Sequence, residues 1–274
     1  MMSDFSSILP KLSKLKQQLK DAGIYDAANE IRYILKYLGK DNTSSFSIDE
    51  QKRFDEIVNR RAKREPLAKI IGQKSFWNST FITTCDTLDP RCDSETMIEA
   101  VIKTVSKKNL NILDLGTGTG CLLLSLLQEF EDAVGVGCDI SEKALSVAFQ
   151  NAKSLSLNHR AKFVISDWLS AIDISSKKFD VVVSNPPYIP NDDSRVNAEA
   201  SYDPAIALYA GQDGLCAYRA IFKDIHKVLD GDLFVEIGID QEKQIIDIAQ
   251  IYGLRFCQHF FDLNGVVRIL QFTR

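Results

Sequence analysis

Asn111-Ile112-Leu113-Asp114-Leu115-Gly116-Thr117-Gly118-Thr119-Gly120 decides the fold. A short apolar run meets an acid and enters a glycine-rich turn, and Cys121 to Leu127 then continue as an apolar helix. Strand, tight turn and helix in that order open a βαβ unit. Glycines let a ligand come close to the backbone, and the amino-terminus of the helix offers unpaired N–H groups. The spacing narrows the ligand. A dinucleotide fingerprint, G-x-G-x-x-G counted from Gly116, would put its third glycine at position 121, which is Cys121. The glycines stand instead at 116, 118 and 120, one residue tighter, with Asp114 two positions ahead of the first.

The strands that follow each end on residues with chemistry. Ala133 to Cys138 reads as the second strand and closes on Asp139, a carboxylate suited to a pair of ribose hydroxyls. Ala161 to Ile165 reads as the third and ends in Ser166-Asp167-Trp168, where an acid and a flat ring could hold an adenine. Phe179 to Ser184 is the fourth, a largely β-branched run stopped by Asn185-Pro186-Pro187-Tyr188. Neither proline can donate a ladder hydrogen bond, so the strand stops there. The Asn185 amide and the Tyr188 ring are left at the carboxyl edge of the sheet, where open α/β sheets bind ligands. The bland alternatives are carboxylates that cap helices and an asparagine in a rigid turn. The strand ends taken together weigh against them.

Outward from this core, the 274-residue chain reads as two domains. Leu9, Leu12, Leu15 and Leu19 mark one helical stripe, and after the break at Gly23, Ala27, Ile31, Ile34, Leu35 and Leu38 mark a second. Gln51 to Arg64 looks like a third helix, so residues 1–73 form a small helical bundle with no strand signal of note. Phe76-Trp77 and Phe81-Ile82-Thr83, around Asn78-Ser79-Thr80, predict a hairpin within a linker spanning 74–90. From 91 to 274 strands alternate with helical patterns, which argues a mainly parallel sheet, and strand-like segments at Phe256–Phe261 and Val266–Phe272 close it.

Composition excludes several classes. With 45% apolar residues the chain can fill a sizeable core, yet no apolar stretch approaches the ~20 residues of a membrane span. The opening residues alternate lysine with polar side chains, unlike a secretory signal, so a soluble cytoplasmic protein is expected. The six cysteines form no CxxC pair and the three histidines are scattered, so no metal site is expected. A net charge of −4 argues against nucleic acid, whose phosphates demand Lys and Arg. One local exception is basic: Lys52, Arg53, Arg60, Arg61, Lys63, Arg64, Lys69 and Lys74 outnumber Asp55, Glu56 and Glu65. It reads either as a solvated helix face or as a docking surface for an acidic protein.

The D-x-G-x-G-x-G turn, the acid after strand two, Ser-Asp-Trp after strand three and Asn-Pro-Pro-Tyr after strand four resemble the class I S-adenosylmethionine-dependent methyltransferases, a Rossmann-like fold. More narrowly, the chain is similar to the bacterial protein-(glutamine-N5) methyltransferases of class-1 peptide-chain release factors. That resemblance extends to Arg64-Glu65-Pro66-Leu67-Ala68-Lys69-Ile70-Ile71-Gly72, to Pro90-Arg91-Cys92-Asp93-Ser94-Glu95, and to Tyr202-Asp203-Pro204 with Gly211-Gln212-Asp213-Gly214-Leu215. It implies S-adenosylmethionine as cofactor and release factors as protein substrate, read by the amino-terminal domain. It implies cofactor contacts from Gly116, Thr117, Gly118, Thr119 and Gly120 to the methionine and ribose, from Asp114 to the ammonium group, from Asp139 to the ribose, and from Asp167 and Trp168 to the adenine, with Asn185 beside them. Asp89 and Cys92 depart from the family's Ile-Pro-Arg-Pro-Asp-Thr-Glu pattern, which predicts a looser linker; Ser94 stands for threonine and keeps the hydroxyl.

The chemistry explains the Asn-Pro-Pro-Tyr corner. A glutamine amide is a poor nucleophile because its nitrogen lone pair is delocalised into the carbonyl. Two acceptors aimed at its two N–H bonds would hold the nitrogen and favour the pyramidal form. The resemblance gives these roles to the Asn185 side-chain oxygen and the Pro186 carbonyl, with Tyr188 packed on the amide plane and Pro187 shaping the substrate side. As the nitrogen becomes cationic the hydrogen bonds become charge-assisted, which is binding of the transition state. Other readings keep the corner and change the substrate: a glutamine of a ribosomal protein, or the N6 amine of adenine, also a delocalised nitrogen. A cofactor-binding scaffold without catalysis is a third. Glu236, ending Leu233-Phe234-Val235, reads more as a structural acid than as a site residue.

Overall fold

The computed structural model describes residues 6–7, 9–41, 43–173, 178–194 and 198–274. It divides into two compact units, Met1–Gly72 with Asn197–Tyr202, and Gln73–Val196 with Asp203–Arg274.

The first unit contains β1 (Ser6–Ser7), α1 (Leu9–Asp21), α2 (Ala27–Tyr37), β2 (Ser45–Phe46), α3 (Ile48–Ala62) and α4 (Leu67–Ile71). Leu12, Leu19, Ile31, Ile34, Phe46, Phe54 and Val58 form its core. The helix α3 starts three residues earlier than its apolar pattern suggests, because Ser47 and Glu50 make a capping box that satisfies two otherwise unpaired N–H groups. The two-residue pair β1/β2 has no counterpart in the sequence reading, being too short for periodicity to register. Much of the basic cluster is consumed inside the unit. Arg60 holds Glu65, buried Arg61 holds Glu30 and Glu199, and Arg64 donates to the Gly23 carbonyl at 2.8 Å.

The second unit carries a hairpin, β3 (Gln73–Phe76) and β4 (Ser79–Ile82), then α5 (Glu95–Thr104), β5 (Asn111–Leu115), α6 (Cys121–Glu129), β6 (Val134–Asp139), α7 (Glu142–Ser154), β7 (Ala161–Ile165), β8 (Phe179–Ser184), α8 (Cys216–Ile225), β9 (Leu229–Glu236), α9 (Glu242–Ile251), β10 (Arg255–Phe261) and β11 (Val267–Thr273). The hairpin is bonded throughout to this unit. Trp77 donates its backbone N–H to Glu95 and its indole N–H to Glu129, and Asn151 exchanges two hydrogen bonds with the Ile82 backbone. In the following stretch Asp89 is buried and accepts from Thr83 Oγ1 at 2.6 Å.

Seven strands form one sheet in the order β10-β11-β9-β8-β5-β6-β7, parallel from β9 to β7 and antiparallel at β11 and β10. Burial on both faces explains the nearly continuous apolar strands. Leu113, Leu115 and Val182 face one core, and Ile112, Val181 and Val183 face the other. From β5 the chain moves outward through β6 to β7, then returns to β8 on the other side of β5. That reversal makes the carboxyl ends of β5 and β8 the binding crevice of a doubly wound sheet. Among the described residues no helix is long and apolar enough to cross a membrane, and no His, Cys, Asp and Glu cluster could hold a metal ion.

Candidate active site

Register brings the motifs together. Leu115 pairs with both Cys138 and Ser184, Asp139 with Ile165, and Ser184 with Val235. The residues that follow those pairs, Gly116, Ser166, Asn185 and Glu236, therefore emerge with Asp139 along one edge. The Ser184 hydroxyl donates to the Leu115 carbonyl at 2.7 Å and ties the two central strand ends.

The glycine loop is pinned from beneath and from the side. Asp114 is fully buried and accepts from Thr117 Oγ1 at 2.6 Å. Gly116 and Thr117 both donate their N–H to the Cys138 carbonyl, and Gly118 donates to Asp139 Oδ2, each at 2.9 Å. Glycines 116, 118 and 120 have φ of +73°, +55° and +79°, the left-handed region that side chains disfavour. Gly120 has a second constraint. A Cβ there would lie 3.2 Å from Ala148 Cβ and Leu124 Cδ1, so its absence lets α6 and α7 pack closely. Asn151 of α7 also donates to the Thr119 carbonyl at 2.9 Å. Asp139 accepts from the Ser141 N–H as well, at the start of α7. Trp168, at φ +49°, brings its ring over Gly116 while its carbonyl accepts from Ser166 Oγ.

A cleft of about 550 Å³ opens on this edge. Gly116, Gly118, Asp139, Asp167, Trp168, Asn185 and Pro187 line it, with Ile140, Ile206 and Leu88 among its apolar walls. Of the other residues singled out from the sequence, Asp114, Thr117, Thr119, Gly120, Pro186 and Tyr188 do not line it. Asp114 and Thr117 sit behind the loop, and the Tyr188 hydroxyl donates to Glu236 Oε1 at 3.2 Å. Glu236 is buried, accepting also from Ser94 Oγ, which in turn accepts from Asn185 Nδ2 at 3.0 Å. The sequence offered only a weak signal for this pair: a charged residue ending an apolar strand, and a hydroxyl in the Pro90–Glu95 segment.

Burial dominates the electrostatics. It pushes the Asp114 carboxyl up to about 7, partly offset by the hydrogen bond from Thr117. Burial likewise pushes Glu236 up to about 7 against the opposing effects of Ser94 and the Arg268 charge. The Tyr188 phenol is raised by burial and by the Glu236 charge. Cys121 and Cys138 are pushed up to about 12, so both stay thiols at neutral pH.

A glycine loop on β5, an acid on β6 and an Asn-Pro-Pro-Tyr corner on β8, all on one edge of this sheet, define a methyltransferase. The family model described as a methyltransferase domain matches residues 106–231, and the one described as a PrmC N-terminal domain matches residues 11–72. A release factor glutamine methyltransferase of Agrobacterium fabrum is 34% identical over 98% of this chain and 98% of its own length. That of Caulobacter vibrioides is 38% identical over 93% and 92%. The chain belongs to the release factor glutamine methyltransferase family. Among solved structures, the hMettl16 catalytic domain in complex with MAT2A 3′UTR hairpin 6 matches with a TM-score of 0.57 at 15% identity, covering 85% of each chain. A methyltransferase from Pyrococcus furiosus matches with a TM-score of 0.50 at 17% identity, over 82% of this chain and 97% of that one. At such identities the likeness is one of fold.

Proposed function

We propose that this enzyme transfers the methyl group of S-adenosylmethionine to the side-chain amide nitrogen of the glutamine in the Gly-Gly-Gln loop of class-1 peptide-chain release factors. The observation that carries this reading is one cleft lined by Gly116, Gly118, Asp139, Asp167 and Trp168 together with Asn185 and Pro187. The names of relatives that match nearly the whole chain support the substrate class.

The residues present fit the cofactor. The Asp139 carboxylate lies at the cleft surface, where a diol would find an acceptor, and Asp167 and Trp168 offer an acceptor and a ring to a purine. The loop from Gly116 to Gly120 would lie along the methionine portion, with Asp114 acting through Thr117 to fix the loop. The cofactor supplies a methyl group already activated by a sulfonium, so the chain's own task is to bind, orient and exclude water. Asn185 Oδ1 and the Pro186 carbonyl accept the two N–H bonds of the substrate amide and favour its pyramidal form. Both interactions strengthen as the nitrogen gains positive charge. Tyr188, anchored on Glu236, backs this corner. Orientation of this kind can be worth ~7–11 kcal/mol. The first unit is the proposed reader of the protein substrate.

The test is transfer of label from S-adenosylmethionine to an unmethylated class-1 release factor, beside a Gln→Ala version of its Gly-Gly-Gln loop and duplex DNA. Label on the intact factor alone is expected. Label that persists on the Gln→Ala version, or appears on DNA, refutes the assignment.

A further inference from the structure

Two side chains outside both motifs stand directly behind Asn185. Ser94, at the start of α5, and Glu236, at the end of β9, are buried, and neither lines the cleft. Ser94 Oγ donates to Glu236 Oε2 at 2.5 Å and accepts from Asn185 Nδ2 at 3.0 Å. The other carboxylate oxygen, Oε1, accepts from the Tyr188 hydroxyl. Around them, Arg268 faces the pair, held by Asp262 at 3.0 Å and by Asp93 at 3.4 Å.

Above about pH 7, where Glu236 is ionised, the arrangement has only one consistent sense. An ionised carboxylate can only accept, and a serine hydroxyl has a single proton. With that proton committed to Glu236, the Ser94 oxygen can only accept from Asn185. The group facing Ser94 must then be the NH2 end of the Asn185 amide, and its oxygen is turned away from Ser94. The opposite rotamer of that amide would oppose oxygen to oxygen at Ser94, and it would present N–H donors to an incoming amide that itself brings N–H donors. An asparagine can serve as an acceptor for a substrate N–H only in the first sense.

We propose that Ser94 and Glu236 are positioning residues that lock the Asn185 amide with its oxygen forward, so that it accepts from the substrate nitrogen during methyl transfer. The proposal rests on the function given above for its substrate and on this hydrogen-bond chain for its direction. Ser94→Thr keeps the hydroxyl and the lock; Ser94→Ala leaves the amide free to turn. In Glu236→Gln the acceptor-only partner is lost, and the chain can run in either direction.

Two measurements on the full-length protein test it. The first is steady-state transfer from labelled S-adenosylmethionine to an unmethylated class-1 release factor at about pH 8, where Glu236 is ionised. Ser94→Ala and Glu236→Gln are expected to lower kcat by ~10–100-fold, the scale of a misplaced reacting group. KM for S-adenosylmethionine should stay near the wild-type value, and Ser94→Thr should recover most of kcat. The second is exchange of the Asn185 side-chain amide protons by NMR on asparagine-labelled protein, assigned by their loss in Asn185→Ala. One slowly exchanging proton is expected in the wild type and in Ser94→Thr, and none in Ser94→Ala. Wild-type kcat in Ser94→Ala, or an unchanged protected proton there, overturns the proposal. A wild type that shows the protected proton and leaves the release factor unlabelled overturns the substrate reading and upholds the lock.

Discussion

The two sides of the cleft are built by opposite means. The cofactor side is assembled from the successive ends of β5, β6 and β7, each a short local segment, and the turn after β5 gives its N–H groups to the end of β6. The substrate side gathers Ser94, Asn185, Tyr188 and Glu236, separated by up to 142 residues, through side-chain hydrogen bonds. Each side hides one buried carboxyl raised to about 7, Asp114 behind the loop and Glu236 behind the corner. Binding a common cofactor can be left to local geometry. Orienting one amide requires converging distant parts of the fold.

This contrast predicts separable defects. Asn185→Ala should lower kcat by ~10²–10³-fold or more, as loss of a transition-state hydrogen-bond partner does, while cofactor affinity stays within a few-fold. Equilibrium dialysis with S-adenosylmethionine beside a turnover assay checks both. Activity near wild type would break the division outright.

The buried acids predict a dependence on pH. Their folded pKa values near 7 lie above the ordinary carboxyl range, so between about pH 4 and pH 7 the native state holds protons that the unfolded chain has released. The stability these two groups contribute is therefore greatest at the low end of that window and falls as pH rises, by up to ~1.4 kcal/mol per pH unit for each group. Asp114→Asn should flatten this slope on the cofactor side and Glu236→Gln on the substrate side, as read by urea unfolding at several pH values. An unchanged slope in both variants would remove these groups as its source.

Asp139→Ala should do the reverse of Asn185→Ala. Losing a charged acceptor costs ~1.5–3 kcal/mol, so cofactor affinity should fall by ~10–100-fold while kcat at saturating cofactor changes less. Unchanged affinity would take Asp139 out of the site. The smallest effect is expected for Gly120→Ala. The left-handed φ costs ~1–2 kcal/mol and the added carbon crowds Ala148, so the loss should appear in the unfolding midpoint.

What the sequence revealed follows the same division. The strands β5 to β8 and the turn after β5 were legible because apolar runs and glycine spacing are local signals; Ala161–Ile165 falls where its pattern predicts. Asp139 could be found because it ends a strand, and Trp168 because it follows one closely. Ser94 could not be connected to Asn185, because nothing local records a hydrogen bond across 91 positions. The hairpin at Gln73–Ile82 reads as a connector from its turn residues, yet its affiliation is set by Asn151, Glu95 and Glu129, far along the chain. Arg61 could not be separated from the rest of the basic cluster in the sequence, because Glu30 and Glu199, which hold it, are distant along the chain.

One feature of the chain path constrains how the molecule can be rearranged. Soon after the Asn-Pro-Pro-Tyr corner the polypeptide contributes a short helical turn, Ala198–Tyr202, to the first unit, where Glu199 meets both Arg61 and Arg64, and then re-enters the second unit at Asp203, held by Arg91. The amino-terminal unit is thus not a detachable cassette. A chimera that exchanges residues 1–72 for those of another family member parts Glu199 from Arg61 and Arg64 unless the insert after the corner travels with them. Recombination between such proteins should therefore succeed when both segments come from one parent.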